Sequence, residues 1–467
     1  MKLKVLICSS FALLFFSLLL NAQQERAARM WLTTPDRTAL VAPQAAELHF
    51  SSEAVQLPVL TVDDAQHFQS IDGFGFALTG GSAQLLMRMV ASQRAALLKE
   101  LFTTGDNGIG VSYLRVSIGS SDMNERVYSY DDLPPGETDV EMAKFNLGPD
   151  RADVIPVLKE ILAIRPDIKI LGSPWSPPAW MKTNNDVKAG ELKPEYYGAF
   201  AKYFVKYIEA MRAEGIAIDA ITVENEPLNP KNTPSMAMFA QEQDTFIAKA
   251  LGPAFEKAGI RTKILLYDHN PDVLSYSLSI LGDPVANKYV DGTAFHLYGG
   301  DASLLAQVHD AYPKKNLYMT EQSVTEGRSG PLGIAEPVRR VMIGATRNWC
   351  RNVLLWNLAA DPKNGPHTNN GGCTGCSGAI TLDGDSMTKN VAYYVIEHFS
   401  QFVPPGSVRV ASSEMEQLAS VAFLTPQQNI VLVVSNTANF VKPFAVKYHD
   451  KFFQTTLPPE SVGTYVW

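Results

Sequence analysis

The sequence predicts an α/β fold, a (β/α)8 barrel, with an appended β-sandwich domain. Between about residues 71 and 360, eight apolar runs alternate with helical segments, which is the repeat that builds such a barrel. All eight runs carry polar or aromatic residues at their carboxyl ends. After about residue 407 the chain shows strand patterns separated by turns and no helical period.

The composition is that of a soluble globular protein with a large core. The chain has 467 residues, of which 46% are hydrophobic and 19% are charged. Its net charge is −8, and it contains no basic run of the kind that contacts nucleic acid. Nucleic acid is therefore not an expected partner.

Residues 1–22 have the layout of a secretory signal peptide. Two lysines precede an apolar run, and cleavage is expected after Ala22. The run is about 16 residues long, whereas a membrane-spanning helix needs about 20. A cleaved peptide is therefore favoured over a membrane anchor, and we expect a secreted or periplasmic protein with no stable membrane anchor.

The two ends of the mature chain are expected to share one side domain. Residues 23–42 are polar and alanine-rich, which predicts a flexible lead-in. Residues 43–66 contain short β-forming stretches that would contribute strands to the β-sandwich. The barrel is assigned to residues 67–403, and the rest of the β-sandwich to residues 404–467.

The barrel strands are predicted from eight apolar runs, which span residues 71–80, 112–122, 168–175, 220–227, 263–270, 289–298, 316–323 and 352–360. Helix-period segments between them include residues 82–102, 152–164 and 195–215. A doubly wound open sheet is the alternative. It is disfavoured because no GxGxxG turn follows the first run, and because such a sheet would need functional residues only near its switch point.

Two of the runs end in glutamates. In ITVENEP, Glu224 and Glu226 should share one face of the strand and Asn225 the other, unless the strand end twists or bulges. The run NLYMTEQS ends with Glu321. The carboxyl ends of barrel strands meet at one rim, so Glu226 and Glu321 are expected to face each other. Burying ionised carboxylates is costly, which favours chemistry over packing.

A carboxylate pair at a barrel mouth is the apparatus of glycoside hydrolysis, in which one group protonates the leaving oxygen and the other attacks or activates water. Aromatic residues at the strand ends could hold a sugar against their flat faces. For each of them alone, core packing is an equal alternative. They are Trp175, Trp180, His296, Tyr298 and Trp356.

Three cysteines follow the signal peptide. Cys373 and Cys376 lie in NNGGCTGCSG and form a possible disulfide, which suits an exported protein. Pairing with Cys350, free thiols, or a redox or metal role are the alternatives. A zinc site would need a fourth ligand, and Asp268 with His269 lacks a third one. We therefore expect hydrogen-bonding roles for these two residues and no metal.

These pieces resemble glycoside hydrolase family 30, the family of lysosomal glucosylceramidase and of microbial β-1,6-glucanases. The similarity covers about residues 70 to 400 and lies, in the family's order, in IDGFGFALTGGSA, YLRVSIGSSDM, LGSPWSPPAWMKTN, TVENEP, FHLY, MTEQ and LLWNLAADPKNGP. The resemblance implies the same barrel-plus-sandwich layout, a retaining mechanism and no cofactor. It also implies that Glu226 is the acid/base and Glu321 the nucleophile.

The resemblance further implies roles for the surrounding residues. Arg115 orients the catalytic carboxylates, and Asn225 binds the sugar near the nucleophile. The other matched substrate-binding positions are Asp122, Trp175, Trp356, His296 and Tyr298. Arg115 should keep Glu321 ionised, and the charge of Glu321 should raise the pKa of Glu226.

Two further glutamates are not expected to take part in catalysis. Glu224 is the rival acid/base and is interpreted as a deeper structural carboxylate. Glu326 is interpreted as a loop carboxylate.

A glycine-rich cysteine insert after the eighth run is more similar to the microbial branch of the family. It favours a β-linked glucan or glucoside as substrate, with glucosylceramide, xylan or fucosides as alternatives. A carbohydrate-binding protein without turnover would not need both Glu226 and Glu321, and a serine hydrolase lacks its GxSxG elbow. The oligomeric state stays unknown at this level.

Overall fold

The computed structural model describes residues 27–105, 108–325 and 331–467. The predicted signal peptide and Glu326 lie outside them. Eight parallel strands, each paired with the next along the chain, close into a barrel when the eighth pairs with the first. They are Gly73–Leu78, Tyr113–Ser117, Lys169–Ser173, Ala220–Thr222, Lys263–His269, Val290–His296, Asn316–Glu321 and Cys350–Leu355. Each overlaps one predicted run, so the (β/α)8 prediction is confirmed.

Helices surround the barrel. The α-helices are Gly80–Arg88, Ala91–Phe102, Val154–Ile164, Tyr197–Ala213, Ala240–Phe246, Gly252–Ala258, Leu274–Gly282, Pro284–Tyr289, Leu305–Ala311, Ala335–Pro337, Gly344–Arg347 and Val391–Ser400. Short 3₁₀ segments are Gly148–Ala152, Ala179–Met181, Pro194–Tyr196, Pro271–Val273 and Ala302–Leu304, and π-helical turns are Ile247–Leu251 and Val338–Ile343. The predicted segment 82–102 is two helices, because the backbone leaves the helical region at Met89 and Val90.

The barrel interior is filled in layers by residues that alternate along the strands. One apolar layer takes a residue from each of strands two to eight, namely Tyr113, Leu171, Ala220, Leu265, Ala294, Tyr318 and Leu354. Two positions further along a strand the side chain again faces inward. At these positions lie buried polar residues: Arg115, Ser173, Thr222, His296 and Thr320. The barrel interior is therefore apolar toward the amino ends of the strands and polar at their carboxyl ends.

The fifth strand departs from this period. Its pairing with the sixth strand shifts register between Tyr267 and His269, and both Tyr267 and Asp268 have positive φ angles. A bulge of this kind re-aims the side chains that follow it. As a result Asp268, and not Tyr267, joins the polar layer of the barrel.

A ten-stranded sheet folds over its own core at the side of the barrel. Its strands, in pairing order, are Ala42–Pro43, Ala27–Thr33, Val462–Val466, Ile430–Asn436, Leu418–Leu424, Val408–Ser412, Val59–Ser70, Lys442–Tyr448 and Lys451–Leu457, with Leu48–His49 beside Ala27–Thr33. Smaller sheets join Ala359–Ala360, Ile380–Asp383 and Ser386–Lys389, and Thr104–Gly105 with Gly108–Ile109.

The prediction of a flexible lead-in at residues 23–42 is wrong for residues Ala27–Thr33, which form a strand. This strand pairs antiparallel with Val462–Val466, the last strand of the chain. Its order depends on a partner more than 400 residues away, which a local pattern does not reveal. Across the described residues, none of the helices has the length and apolar composition to cross a bilayer.

Candidate active site

Asp268 is the centre of the polar layer at the mouth of the barrel. Its Oδ2 accepts hydrogen bonds from Arg115 Nη2 at 2.8 Å, Ser173 Oγ at 2.9 Å and Thr222 Oγ1 at 2.8 Å. Its Oδ1 accepts from Thr320 Oγ1 at 2.5 Å and lies 3.2 Å from His296 Nε2. Burial favours the neutral acid, but the charges of Arg115 and His296 hold the pKa of Asp268 far below its ordinary value. The hydrogen-bonding role expected for Asp268 is thus what the contacts give.

Arg115 connects this layer to the residues that face the pocket. Its Nη1 donates to Glu321 Oε2 at 2.5 Å, and its Nη2 also donates to Asn225 Oδ1 at 2.7 Å. The guanidinium lies 4.6 Å from the ring centroid of Trp175. The side chain is fully buried, and a planar guanidinium with several fixed donors suits such a junction of carboxylates, amide and ring.

Glu321 is the last residue of the seventh strand, where the barrel opens. Besides Arg115, it accepts a hydrogen bond from the Tyr298 hydroxyl to Oε1 at 2.9 Å. Burial, together with the charge of Glu321, raises the pKa of Tyr298, so this phenol remains a donor. His296 Nδ1 lies 3.7 Å from the same Oε1.

Glu226 follows the fourth strand, which ends at Thr222. The amide of Asn225 bonds to the carbonyl of Pro174, and that of Glu226 bonds to the carbonyl of Asp268. Glu226 has a φ of 47°. This turn breaks the strand alternation, so Asn225 and Glu226 both line the pocket. The strict alternation, which would turn Asn225 away from Glu226, therefore does not hold, because the strand end twists.

Glu224 is fully buried behind this turn. Neither carboxyl oxygen has a hydrogen-bond partner among the described residues. Burial raises the pKa of Glu224 well above its usual range, although the charge of Lys182 opposes the shift. Glu224 does not line the pocket. This position is consistent with its interpretation as a deeper structural carboxylate.

Glu226 and His296 form a buried hydrogen-bonded pair. His296 Nδ1 lies 3.1 Å from Glu226 Oε1. Burial disfavours the charged forms of both Glu226 and His296. The charges of Glu321 and Asp268 nevertheless raise the pKa of His296 to about 10. The hydrogen bond and charge of His296 in turn lower the pKa of Glu226 to about 2. The proton of this pair therefore resides on the imidazole.

The expected pKa pattern of the two glutamates is thus reversed. Burial, reinforced by the charge of Glu226, raises the pKa of Glu321 even though His296 and Arg115 oppose the shift. Arg115 acts in the expected direction, because its charge opposes the rise in the pKa of Glu321. The expectation that the pKa of Glu226 is raised is wrong. The physical reason is His296, which lies closer to Glu226 than to Glu321 and stabilises the charge of its nearer neighbour.

Two tryptophan rings form one wall of the pocket. Trp175 follows the third strand and Trp356 follows the eighth, and their ring centroids lie 5.4 Å apart. Cys373 and Cys376, joined by a disulfide, pack against the apolar cluster that these rings form with Ala77 and Met123. Trp180 is different: it is buried, its Nε1 donates to the carbonyl of Asp131, and it does not line the pocket.

Asp122 lies in the same pocket with one carboxyl oxygen unpartnered among the described residues. Burial and the charges of Glu321 and Glu226 raise the pKa of Asp122 to about 8. A carboxyl group that is neutral at pH 7 can both donate and accept a hydrogen bond. It suits a sugar, whose hydroxyl groups have the same two capacities.

Glu226, His296 and Glu321 could in principle hold a metal ion, because one ligand atom from each lies within 4.8 Å of the others. A metal-bound imidazole must offer a free lone pair. Both ring nitrogens of His296 face carboxylate oxygens, Nδ1 that of Glu226 and Nε2 that of Asp268. Burial disfavours the charged ring, but the charges of Glu321 and Asp268 raise the pKa of His296. The donor set therefore fits a proton-bearing cluster better than a metal site.

Sequence patterns did not indicate two residues that contact Glu226. Asn229 Nδ2 donates to Glu226 Oε2 at 2.7 Å, and Asn232 Nδ2 donates to the same oxygen at 3.3 Å. The only available signal was their position a few residues after a strand-end glutamate. Cys350, the third cysteine of the described residues, is buried and unpaired.

The match to known proteins covers both parts of the chain. Residues 71–403 match the glycosyl hydrolase family 30 TIM-barrel domain, and residues 406–465 match the glycosyl hydrolase family 30 beta sandwich domain. An endo-1,6-beta-D-glucanase of Neurospora crassa is 38% identical over 75% of this chain and 74% of its own.

Two further relatives extend this match. The lysosomal acid glucosylceramidase of Mus musculus is 31% identical over 88% of this chain and 83% of its own. A solved endo-beta1,6-glucanase superposes with a TM-score of 0.87 at 35% identity, over 94% of this chain and 99% of that one. This chain therefore belongs to glycosyl hydrolase family 30, and it is a glycosidase.

Proposed function

We propose that this glycosidase cleaves β-1,6-linked glucan internally and with retention of configuration at the anomeric carbon. One observation carries the mechanism: a carboxylate oxygen of Glu226 and one of Glu321 lie within 4.8 Å of each other. Retaining enzymes hold their two carboxyl groups about 5–5.5 Å apart, whereas inverting enzymes leave about 6.5–9.5 Å for a water molecule.

In the first step, Glu321 attacks the anomeric carbon while Glu226 protonates the leaving oxygen. The glycosidic bond breaks, and the sugar becomes bound to Glu321 as an ester. The proton comes from the Glu226–His296 pair, across the 3.1 Å contact between His296 Nδ1 and Glu226 Oε1. Because Tyr298 and Arg115 each hold one oxygen of Glu321, its carboxylate is presented in a fixed orientation.

In the second step, a water molecule attacks the anomeric carbon and gives its proton to the Glu226–His296 pair. The ester bond breaks and Glu321 regains its negative charge, so the starting charges are restored. Asp122, Trp175, Trp356 and Asn225 are proposed to hold the reacting sugar, because they surround the carboxylates in one pocket.

The chemistry of the pocket supports a glucan over a glycolipid. The cavity has a volume of about 820 Å³. Among the described residues that line it, the only aliphatic side chain is that of Leu228, whereas Asn229, Asn232 and Asn270 contribute amides. Amides satisfy sugar hydroxyls, but an acyl chain gains nothing from them. Glucosylceramide is the second candidate, on the strength of the glucosylceramidase relative.

Export from the cytoplasm is part of this proposal. It is supported by the signal-like layout of residues 1–22 and by the disulfide between Cys373 and Cys376. A glucan too large to enter a cell is a fitting substrate for an exported enzyme.

The test compares β-1,6-glucan, an aryl β-glucoside and detergent-dispersed glucosylceramide as substrates. We expect turnover of the glucan, with Glu226→Gln and Glu321→Gln each losing a factor on the order of 10³ or more. A Glu321→Gly variant given azide should form the α-glycosyl azide. Glu224→Gln is the matched control and should retain activity, because Glu224 is held neutral. Full turnover by Glu321→Gln, or action on glucosylceramide alone, would contradict the proposal.

A further inference from the structure

The two carboxyl oxygens of Glu226 have different surroundings. Oε1 contacts His296 Nδ1, which also lies 3.7 Å from Glu321 Oε1. Oε2 lies against two side-chain amides, Asn229 Nδ2 at 2.7 Å and Asn232 Nδ2 at 3.3 Å. One oxygen thus faces groups that exchange or attract protons, and the other faces groups that only donate.

We propose that Asn229 and Asn232 are positioning residues that reserve Oε2 of Glu226 as the non-reacting oxygen, so that the catalytic proton passes through Oε1. This inference rests on the acid/base role proposed above for Glu226. An oxygen that accepts two N–H hydrogen bonds has both of its lone pairs occupied. A proton bound to this oxygen would lie against the N–H hydrogens of the two amides, which is unfavourable. Oε1 keeps a lone pair for proton exchange.

The local backbone fixes this arrangement. The amide of Asn229 donates to the carbonyl of Glu226 at 2.8 Å, which closes a tight turn beyond Pro227. Asn232 is followed by Thr233, whose hydroxyl bonds to the carbonyl of Asn370 in the loop that carries the disulfide. The amides are therefore held by the loops that form the pocket and by contacts that do not involve substrate.

The charges around Glu226 are consistent with a device that controls its proton. His296 and His269 act to stabilise the carboxylate, and the hydrogen bond from Asn229 adds to their effect. The carboxylates that face Glu226 are Glu321 and Asp122, on which it acts in return by raising their pKa values. Removal of the amides should therefore move the proton of the Glu226–His296 pair toward Glu226.

The amides could instead bind hydroxyl groups of the substrate, and the choice of leaving group separates the two roles. A dinitrophenolate departs without a proton, whereas a sugar alcohol needs one. A positioning residue for the acid therefore affects only the second kind of substrate in the first step. Loss of a sugar-binding contact would affect both.

The experiment measures kcat/KM for dinitrophenyl β-glucoside and for β-1,6-glucan with Asn229→Ala, Asn232→Ala and the double variant. We expect the double variant to lose about 10- to 100-fold on the glucan, part of the 10²–10⁴ that general acid catalysis supplies. On the dinitrophenyl substrate the loss should stay below about threefold. The alkaline limb of the pH profile on the glucan should move to higher pH.

Two variants serve as controls. Asn229→Ser keeps a donor and should recover part of the lost glucan activity. Asn146→Ala makes the same change at an exposed residue that does not line the pocket, and should match the wild type on both substrates.

Equal losses on both substrates, or no loss on the glucan, would overturn the inference while leaving the proposed function intact. The proposed function itself would fail if the wild type hydrolysed neither substrate, or if Glu226→Gln retained glucan activity.

Discussion

At the scale of single residues, the site depends on a buried charge network whose centre is Asp268. Three carboxylates and two cations meet within hydrogen-bonding distance at the mouth of the barrel, and they are Asp268, Glu321, Glu226, Arg115 and His296. Burial makes each charge dependent on its partners, because an unpaired charge in such surroundings is strongly destabilising. Asp268 does not line the pocket. It nevertheless pairs with both cations, Arg115 and His296, and so holds them in position.

Replacement of Asp268 by Asn should therefore harm both stability and activity. Arg115 and His296 would lose the carboxylate that pairs with them, and breaking a buried pair costs about 3–5 kcal/mol. Urea unfolding and glucan hydrolysis would measure the two effects. The exposed Asp272→Asn is the control and should stay within about 0.5 kcal/mol of the wild type. Equal stability of both variants would mean that the network adds nothing to the fold.

At the scale of elements, the regular strands were predictable and the departures from regularity were not. All eight barrel strands follow from apolar runs because burial imposes the pattern. The places of Asp268, Asn225 and Asn229 depend instead on a bulge and on a tight turn, in which backbone hydrogen bonds override the alternation. Glu226 and Glu321 were indicated by their positions at the ends of apolar runs, and the family resemblance added their separate roles.

The loop after the eighth strand lines the pocket with the segment from Gly371 to Cys376. Its disulfide, Cys373–Cys376, packs against the apolar cluster that contains Trp175 and Trp356. The amide of Thr368 also bonds to the carbonyl of Asp122. This loop therefore supports the residues proposed to hold the sugar, and loosening it should weaken glucan binding.

A Cys373→Ser, Cys376→Ser double variant tests this support. A disulfide that closes a loop this short should contribute on the order of 2 kcal/mol to stability. KM for the glucan should rise about tenfold, because the tryptophan rings that hold the sugar would no longer be supported by the disulfide. Steady-state kinetics and urea unfolding, each with and without reductant, provide the measurement. Reductant should reproduce the effect in the wild type and leave the double variant unchanged, because Cys350 is already a buried thiol. An unaltered KM would show that the loop plays no part in binding.

At the scale of the whole molecule, the barrel and the β-sandwich are joined through both ends of the described chain. His398, on the helix Val391–Ser400, hydrogen-bonds to Thr464 through Nδ1 and to Thr33 through Nε2, both at 2.8 Å. These threonines lie on the first and the last strand of the ten-stranded sheet. Such long-range pairing is the reason why a flexible lead-in was expected where a strand lies. The shared side domain itself was predicted from the β-forming stretches near both chain ends.

His398 should make this junction sensitive to acid. Burial lowers its pKa from 6.5 to about 3, so the unfolded chain binds a proton in this range that the folded protein excludes. Stability from this site should therefore be complete above about pH 6.5 and fall by about 1.4 kcal/mol per pH unit toward pH 3. Urea unfolding at several pH values should give a shallower decline for His398→Gln than for the wild type. Parallel curves would contradict this account.

The central claim is that Glu226 and Glu321 act on opposite sides of one glycosidic bond by a double displacement. Proton NMR of the first product of β-1,6-glucan cleavage, recorded before mutarotation, tests it most directly. We predict that the new reducing end appears first as the β-anomer and only later equilibrates with the α-anomer. Initial release of the α-anomer would require a single displacement by water and would contradict the mechanism.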